Sequence, residues 1–180
     1  MLDFKALWDR ADTFPAYMAS SQAEHKGLWA GIHRLARIPG WARAAVPADA
    51  KLKLLVLAED WCGDASNTVP VLVKWAEETP GLELRILKRD ENPEVMDRYL
   101  TGTSRSIPIV IVLDRDFREL GHWGPRPQDL QAWVLENKPR LQKDALYPQV
   151  RKWYARDRGE TTLREVIAAA GLPEMTGLRV

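Results

Sequence analysis

The stretch that decides the fold is LLVLAEDWCGDASNTVPVL, residues 54–72, which contains the only cysteine of the chain, Cys62. Its first five residues form a short, continuous apolar run, which is typical of a strand covered on both faces. Asp60 and Asp64 follow, and negative charge is favoured near the N-terminus of a helix. The stretch therefore predicts a strand, a turn at Cys62 and a helix.

The position of Cys62 acts on its thiol in two opposite ways. A sulfur at a helix start faces backbone N–H groups without an intrahelical acceptor and the positive end of the helix dipole, which favour the thiolate. Ser66, one helical turn further on, is placed to donate a hydrogen bond to it. Asp64 brings a negative charge beside the sulfur and should raise its pKa. The residues alone therefore leave two interpretations open, a reactive thiolate and a vestigial cysteine.

Length and composition indicate a globular protein. The chain has 180 residues, of which 46% are hydrophobic and 28% charged, enough for one domain with helical additions. A net charge of +1 predicts no general attraction to nucleic acid or to an anionic membrane. We expect a cytoplasmic location, because no signal peptide or spanning segment is visible and one cysteine cannot form an internal disulfide. The histidines stand apart, so no metal site is expected.

Periodicity divides the chain into three parts: a helical N-terminal extension (1–50), a core (51–138) and a helical C-terminal extension (139–180). Capping boxes predict helix starts at Ser21 with Glu24 and at Thr162 with Glu165. In the core, residues 82–86, 107–113 and 117–121 are expected to be strands. A helix is expected after Asn92-Pro93, and its inner face would comprise Val95, Met96, Tyr99 and Leu100.

Several separate motifs of the core resemble those of thioredoxin. Trp61-Cys62-Gly63, between a strand and a helix, is similar to the family's active-site motif. Asp90-Glu91-Asn92-Pro93 is similar to its turn after the next strand, and Arg105-Ser106-Ile107-Pro108 to its proline loop. Gly124 is similar to the glycine after the last strand. The WCGDA sequence, with the helical additions and a Trp-Gly-Pro-Arg-Pro loop, is similar to a bacterial thioredoxin-like group.

The resemblance implies an α/β thioredoxin-like fold, with a central mixed β-sheet flanked by helices and further helices at both ends of the chain. It also implies that the Ile107–Pro108 bond is cis and lies against Cys62. Three positions depart from the family. Its second cysteine falls at Ala65, and its buried acid and lysine fall at Val56 and Ile86. Without a resolving thiol, a dithiol cycle within one chain is impossible.

The first functional hypothesis is a lone nucleophile. Cys62 would attack a disulfide or a glutathionylated partner, and an external thiol such as glutathione would release it. Ser66 would assist the thiolate. Asp64 is also a candidate catalytic residue, although a first-turn helix charge is the simpler interpretation.

The substrate-binding candidates lie around the predicted proline loop. Trp61 and Pro108 would wall the groove, and the backbone at Ile107 would pair with an extended peptide. Arg126 would either offset Asp64 or hold a carboxylate, and Arg105 is the second basic candidate. The expected partner is a protein or peptide thiol or disulfide, or glutathione, with no cofactor, metal, nucleic acid or membrane.

Two other hypotheses stay open. The first is a non-catalytic module that binds a protein or peptide in a thioredoxin groove. The second is a disulfide between two copies of the chain through Cys62, which would give a redox-dependent dimer.

Overall fold

The computed structural model describes residues 2–173 and contains a four-stranded sheet in the order β2-β1-β3-β4. The strands are β1 (Leu52–Ala58), β2 (Leu82–Lys88), β3 (Ile109–Leu113) and β4 (Glu119–Trp123). β1 runs parallel to β2 and antiparallel to β3, and β3 runs antiparallel to β4. The predicted mixed sheet is therefore confirmed.

Helices flank this sheet and precede and follow it along the chain. They are α1 (Phe4–Arg10), α2 (Phe14–Ser20), α3 (Ala23–Leu35), α4 (Gly40–Ala44), α5 (Gly63–Glu78), α6 (Pro93–Met96), α7 (Gln128–Asn137), α8 (Lys143–Asp157) and α9 (Glu160–Ala169), with a 3-10 turn at Arg89–Glu91. None of the helices in residues 2–173 is long and apolar enough to cross a membrane.

The stretch 54–72 folds as its pattern predicts. All seven residues of β1 are buried, because β1 is paired on both sides and covered on both faces. Cys62 is the N-cap of α5, whose residues Val69 and Leu72 are fully buried. The strand-to-helix turn therefore places the cysteine just beyond the end of a fully buried strand.

The extensions pack onto this core. From the N-terminal part, Trp8, Tyr17 and Trp29 belong to the same apolar cluster as β1. Asp12, between α1 and α2, pairs with Ile86 of β2 through two backbone hydrogen bonds of 2.9 and 2.8 Å.

From the C-terminal part, α9 contributes Leu163, Val166 and Ile167 to the same cluster. The helices α7 and α8 form a smaller cluster of Leu130, Val134, Val150 and Tyr154. Residues 174–180 of the predicted C-terminal extension lie outside the described part of the chain.

Both predicted capping boxes are wrong. α3 begins after Gln22, and the Ser21 hydroxyl donates to the Tyr17 carbonyl oxygen at 2.8 Å because α2 ends there. α9 begins two residues before Thr162, after Gly159 at φ +83°. Glu165 instead accepts hydrogen bonds from the Trp123 indole at 2.6 Å and the Gln128 amide at 2.9 Å. The Glu165 carboxylate of α9 therefore binds residues distant in the chain and does not cap its own helix.

Three further predictions within the core need correction. Leu100 is 42% exposed, because α6 ends at Met96 and the chain turns before reaching it. β3 begins at Ile109, two residues later than predicted, after a cis bond at Pro108. β4 also begins two residues later, because Phe117 lies in the hairpin turn with φ +62°.

Candidate functional site

Cys62 lies between the start of α5 and the proline loop. Its sulfur accepts a hydrogen bond from the Ala65 amide at 3.5 Å and donates one to the Ile107 carbonyl oxygen at 3.5 Å. The Ile107–Pro108 bond is cis, as the resemblance implies. Gly124, at φ +127°, passes so close that a Cβ there would overlap the Pro108 carbonyl oxygen. The thiol is thus held by a helix start on one side and by the proline loop on the other.

The surroundings of the thiol favour its protonated form. Cys62 is only 9% exposed, and burial, the largest effect, raises its pKa above the ordinary value. The charge of Asp64 raises the pKa further. The amides of Ala65 and Asp64 and the charge of Arg126 lower it, but do not outweigh burial. The structure thus contains both the effects that lower the pKa of Cys62 and those that raise it, as the sequence predicts. The effects that raise the pKa are larger and favour the protonated thiol.

Asp64 is at the centre of a buried polar cluster. Arg126 binds its carboxylate through two nitrogens, Nε at 2.9 Å and Nη2 at 2.6 Å. The hydroxyl of Tyr154 donates to the same carboxylate at 2.9 Å. Burial and the adjacent Asp64 charge raise the pKa of Tyr154, which keeps this hydroxyl protonated as a donor. Arg126 therefore offsets Asp64, the first of the two roles that the sequence leaves open.

Tyr154 is a site residue that the sequence analysis misses. It lies in α8, ninety residues beyond Asp64, and its aromatic side chain there resembles an ordinary packing residue. Arg126 also donates to Gln131 at 2.9 Å, so its guanidinium is occupied on both sides. The cluster ties the start of α5 to the loop after β4 and to the C-terminal extension.

The other predicted site residues have partners of their own. The Ser66 hydroxyl donates to the Gly63 carbonyl oxygen at 2.9 Å and not to the sulfur. Arg105 forms two hydrogen bonds with Asp97, at 2.7 and 2.8 Å. Trp61 is 49% exposed, and the guanidinium of Arg89 lies over its ring at 5.0 Å.

A groove of about 580 Å³ opens over Cys62. Trp61 and Ile107 line it from the core. The extensions supply its other walls, Leu28 from α3 and Tyr147, Val150 and Arg151 from α8. The added helices thus border the groove and leave it open.

The N-terminal extension also supports the turn before Cys62. The buried Trp29 indole donates to the Asp60 carbonyl oxygen at 3.0 Å. The Asp60 carboxylate accepts a hydrogen bond from the Gln22 amide at 2.6 Å. Both contacts come from α3 or the residue before it, so this helix helps to position the cysteine.

The parts of a dithiol site are replaced by apolar residues. Ala65 is fully buried, and Val56 pairs directly with Ile86 across β1 and β2. A carboxyl group does lie near, at Glu59, which accepts a hydrogen bond from the Asp90 amide at 2.8 Å and whose pKa burial raises. Within residues 2–173 no cluster of three or more histidine, cysteine or acidic side chains is arranged to hold a metal ion.

Comparison with known proteins defines the class. A family profile described as thioredoxin matches residues 11–145, well over half of the chain, so this protein belongs to the thioredoxin family. The thioredoxin-like fold implied by the sequence motifs is confirmed. No curated protein matches the chain.

Two solved structures are similar over nearly the whole length. One is a protein of unknown function from Pseudomonas aeruginosa, 24% identical with a TM-score of 0.75, covering 95% of this chain and 98% of that one. The other is an HIV epitope-scaffold, which is 21% identical with a TM-score of 0.74. The match covers 94% of this chain and 98% of the scaffold chain. At these identities the likeness extends to the fold, including the helical additions.

Proposed function

We propose that this protein is a monothiol member of the thioredoxin family in which Cys62 exchanges with the disulfide of a bound partner. The observation that carries the proposal is the position of the Cys62 sulfur, on the groove and 3.5 Å from the carbonyl oxygen of Ile107. That carbonyl precedes a cis proline at the start of a strand, where an extended peptide can add its own backbone hydrogen bonds.

The reaction has two exchange steps. The substrate is a disulfide of a protein or peptide, or a mixed disulfide with glutathione. The Cys62 thiolate attacks one sulfur of this disulfide, a bond from the Cys62 sulfur forms, and the old S–S bond breaks. The departing thiolate takes a proton from water. An external thiol, glutathione in the proposed cytoplasmic setting, then attacks the mixed disulfide on Cys62. This second step returns Cys62 to its thiolate and carries away a new disulfide, so the external thiol is the reductant.

The site residues divide between this reaction and its framework. Trp61 and Ile107 line the groove and form the proposed substrate surface. Pro108, which we expected as a second wall, is buried and lies outside the groove lining. Asp64 and Arg126 neutralise each other beside the sulfur and act by setting its pKa. The hydroxyl of Ser66 is engaged with the backbone, so Ser66 takes no part in the proposed steps.

A second candidate function, a non-catalytic binding module, is favoured by one specific observation. The thiol is 9% exposed and its pKa is raised by burial, which reduces the thiolate fraction at neutral pH. The same burial opposes a disulfide between two copies of the chain, because both sulfurs are recessed and would have to approach to about 2 Å.

One experiment separates the two functions. Wild type and Cys62→Ser are assayed for reduction of a peptide–glutathione mixed disulfide in the presence of glutathione. Exchange predicts turnover by wild type only, together with a trapped mixed disulfide on Cys62 detected by mass spectrometry. Equal background rates for both proteins would reject exchange and leave the binding module.

A further inference from the structure

Four arginine side chains line the groove over Cys62, against one aspartate. Three of them are neutralised by a carboxylate of this chain: Arg89 by Asp90 at 2.7 Å, Arg105 by Asp97 at 2.7 Å, and Arg126 by Asp64 at 2.6 Å. The charges of these three arginines are therefore already balanced by carboxylates of this chain.

Arg151 differs from the other three. It lies on the exposed side of α8, one turn after Tyr147, and lines the same groove. Among residues 2–173, none of the ion pairs within 4 Å includes Arg151. A guanidinium is always charged and matches the planar geometry of a carboxylate, so the free charge selects an anion.

The walls beside Arg151 are apolar. Leu28, Trp61 and Tyr147 are 54%, 49% and 44% exposed, and all three line this groove. Large apolar side chains gathered at one groove mark a binding surface. The volume of about 580 Å³ is of the size that holds a few residues of peptide.

We propose that the groove selects a short extended peptide segment of a partner protein, with an acidic residue beside a cysteine in disulfide linkage. Arg151 holds the carboxylate, and Leu28, Trp61 and Tyr147 cover the apolar part of the segment. The Cys62 thiolate attacks the cysteine sulfur of the peptide, the bond to Cys62 forms, the old disulfide breaks, and its departing thiolate is protonated by water. This inference rests on the proposed exchange and names its substrate class.

The test uses two blocked tripeptides, Glu-Cys-Glu and Gln-Cys-Gln, each in mixed disulfide with 2-thiopyridine, whose release is followed by absorbance. Wild type is expected to react about two- to fivefold faster with the acidic peptide, which lies within the range for one exposed charge pair. The preference should fall toward one in about 1 M salt, where the screening length is only about 3 Å.

Arg151→Gln should abolish this preference. Arg156→Gln is the matched control, because Arg156 is exposed on the same helix but faces a different groove, beside Trp153. Equal rates for the two peptides in wild type, or an unchanged preference in Arg151→Gln, would overturn the inference. A stronger response to glutathione disulfide than to the acidic peptide would overturn the choice of a protein segment.

A second measurement keeps the inference separate from the exchange reaction. Binding of Glu-Ser-Glu and Gln-Ser-Gln peptides to Cys62→Ala is measured by calorimetry, where no exchange occurs. If Cys62 proves unreactive, the proposed exchange fails while tighter binding of the acidic peptide supports the groove's selectivity. If the two peptides bind equally, the selectivity is wrong whatever the reactivity of Cys62.

Discussion

At Cys62 the start of α5 and the charge beside it act in opposite directions. The Ala65 amide points at the sulfur, as a helix start provides, but the sulfur is buried and Asp64 follows two residues later. Arg126 reduces the second effect by pairing with Asp64. The thiol is thus held between a helix start and the proline loop, with a pKa raised above its ordinary value.

This balance predicts an alkaline pH dependence for the thiol. Only the thiolate is nucleophilic, and the pKa of Cys62 lies above its ordinary value. Alkylation by iodoacetamide should therefore keep accelerating as pH rises beyond ~8.5, the value for a free cysteine. The rate is followed by mass spectrometry from neutral to alkaline pH, with free cysteine as reference. A plateau reached below the reference would contradict the prediction.

Replacing Asp64 by asparagine should activate the thiol and weaken the fold. Asp64→Asn removes the nearby negative charge while Arg126 stays, so the pKa of Cys62 falls and alkylation at neutral pH becomes several-fold faster. The buried guanidinium loses its carboxylate, which should cost roughly 3–5 kcal/mol of unfolding free energy in urea titration.

Asp97→Asn is the control for this variant, because it breaks the exposed pair with Arg105 at the edge of the groove. We expect it to cost less than about 1 kcal/mol and to leave the alkylation rate unchanged. Similar effects of the two variants would mean that Asp64 has no special influence on the thiol.

Among the elements of the N-terminal extension, α3 supports the turn before the site. Its Trp29 is buried under the turn before Cys62 and donates to the Asp60 carbonyl oxygen. Trp75 of α5 is equally buried and donates to the Ala42 carbonyl oxygen at 2.9 Å, with α4 as its neighbour. Each of the two tryptophans is buried and donates to one backbone carbonyl oxygen, but only Trp29 lies at the turn before Cys62.

That similarity allows a matched pair of variants. Trp29→Phe and Trp75→Phe should each lose about 1–3 kcal/mol of stability, because each leaves a small void and a backbone carbonyl without its donor. The carbonyl is part-buried at Asp60 and buried at Ala42. Only Trp29→Phe should alter the alkylation rate of Cys62, since only Trp29 supports that turn. Urea unfolding and Cys62 alkylation are measured on both variants. Equal alkylation rates in the two variants would show that α3 has no special influence on Cys62.

The elements also show where sequence reasoning succeeds. β1 and α5 were predictable because a continuous apolar run and a helical repeat carry their own periodicity. The prediction of capping boxes failed because, in the folded chain, Ser21 and Glu165 form hydrogen bonds with groups outside the helix start. The Asp64–Arg126–Tyr154 cluster joins three segments, and no local pattern indicates that Tyr154 reaches the carboxylate.

At the scale of the whole molecule, the extensions are structural parts of one core. Trp8, Tyr17 and Trp29 fill the same cluster as the sheet, and α8 completes both the polar cluster and the groove. Side chains of the first 50 residues are therefore buried together with those of the sheet.

A fragment of residues 51–173 should not fold cooperatively. Each large apolar side chain that loses its cover forfeits about 1.5–3 kcal/mol, and several such losses use up the roughly 5–15 kcal/mol that stabilises a typical domain. The fragment is expected to lack near-ultraviolet circular dichroism and a sigmoidal urea transition. Adding a peptide of residues 1–50 should restore both, whereas a native-like transition of the fragment alone would show an independent core.

The backbone pairing of Asp12 with Ile86 has a consequence for behaviour at high concentration. An open strand edge is a template for pairing with another chain, and Asp12 interrupts the edge of β2 by pairing with its residue Ile86. The opposite edge, β4, is five residues long and carries the charged Glu119 and the polar His122. Detachment of the segment around Asp12 is therefore the event that we expect to precede fibrillar aggregation of this protein.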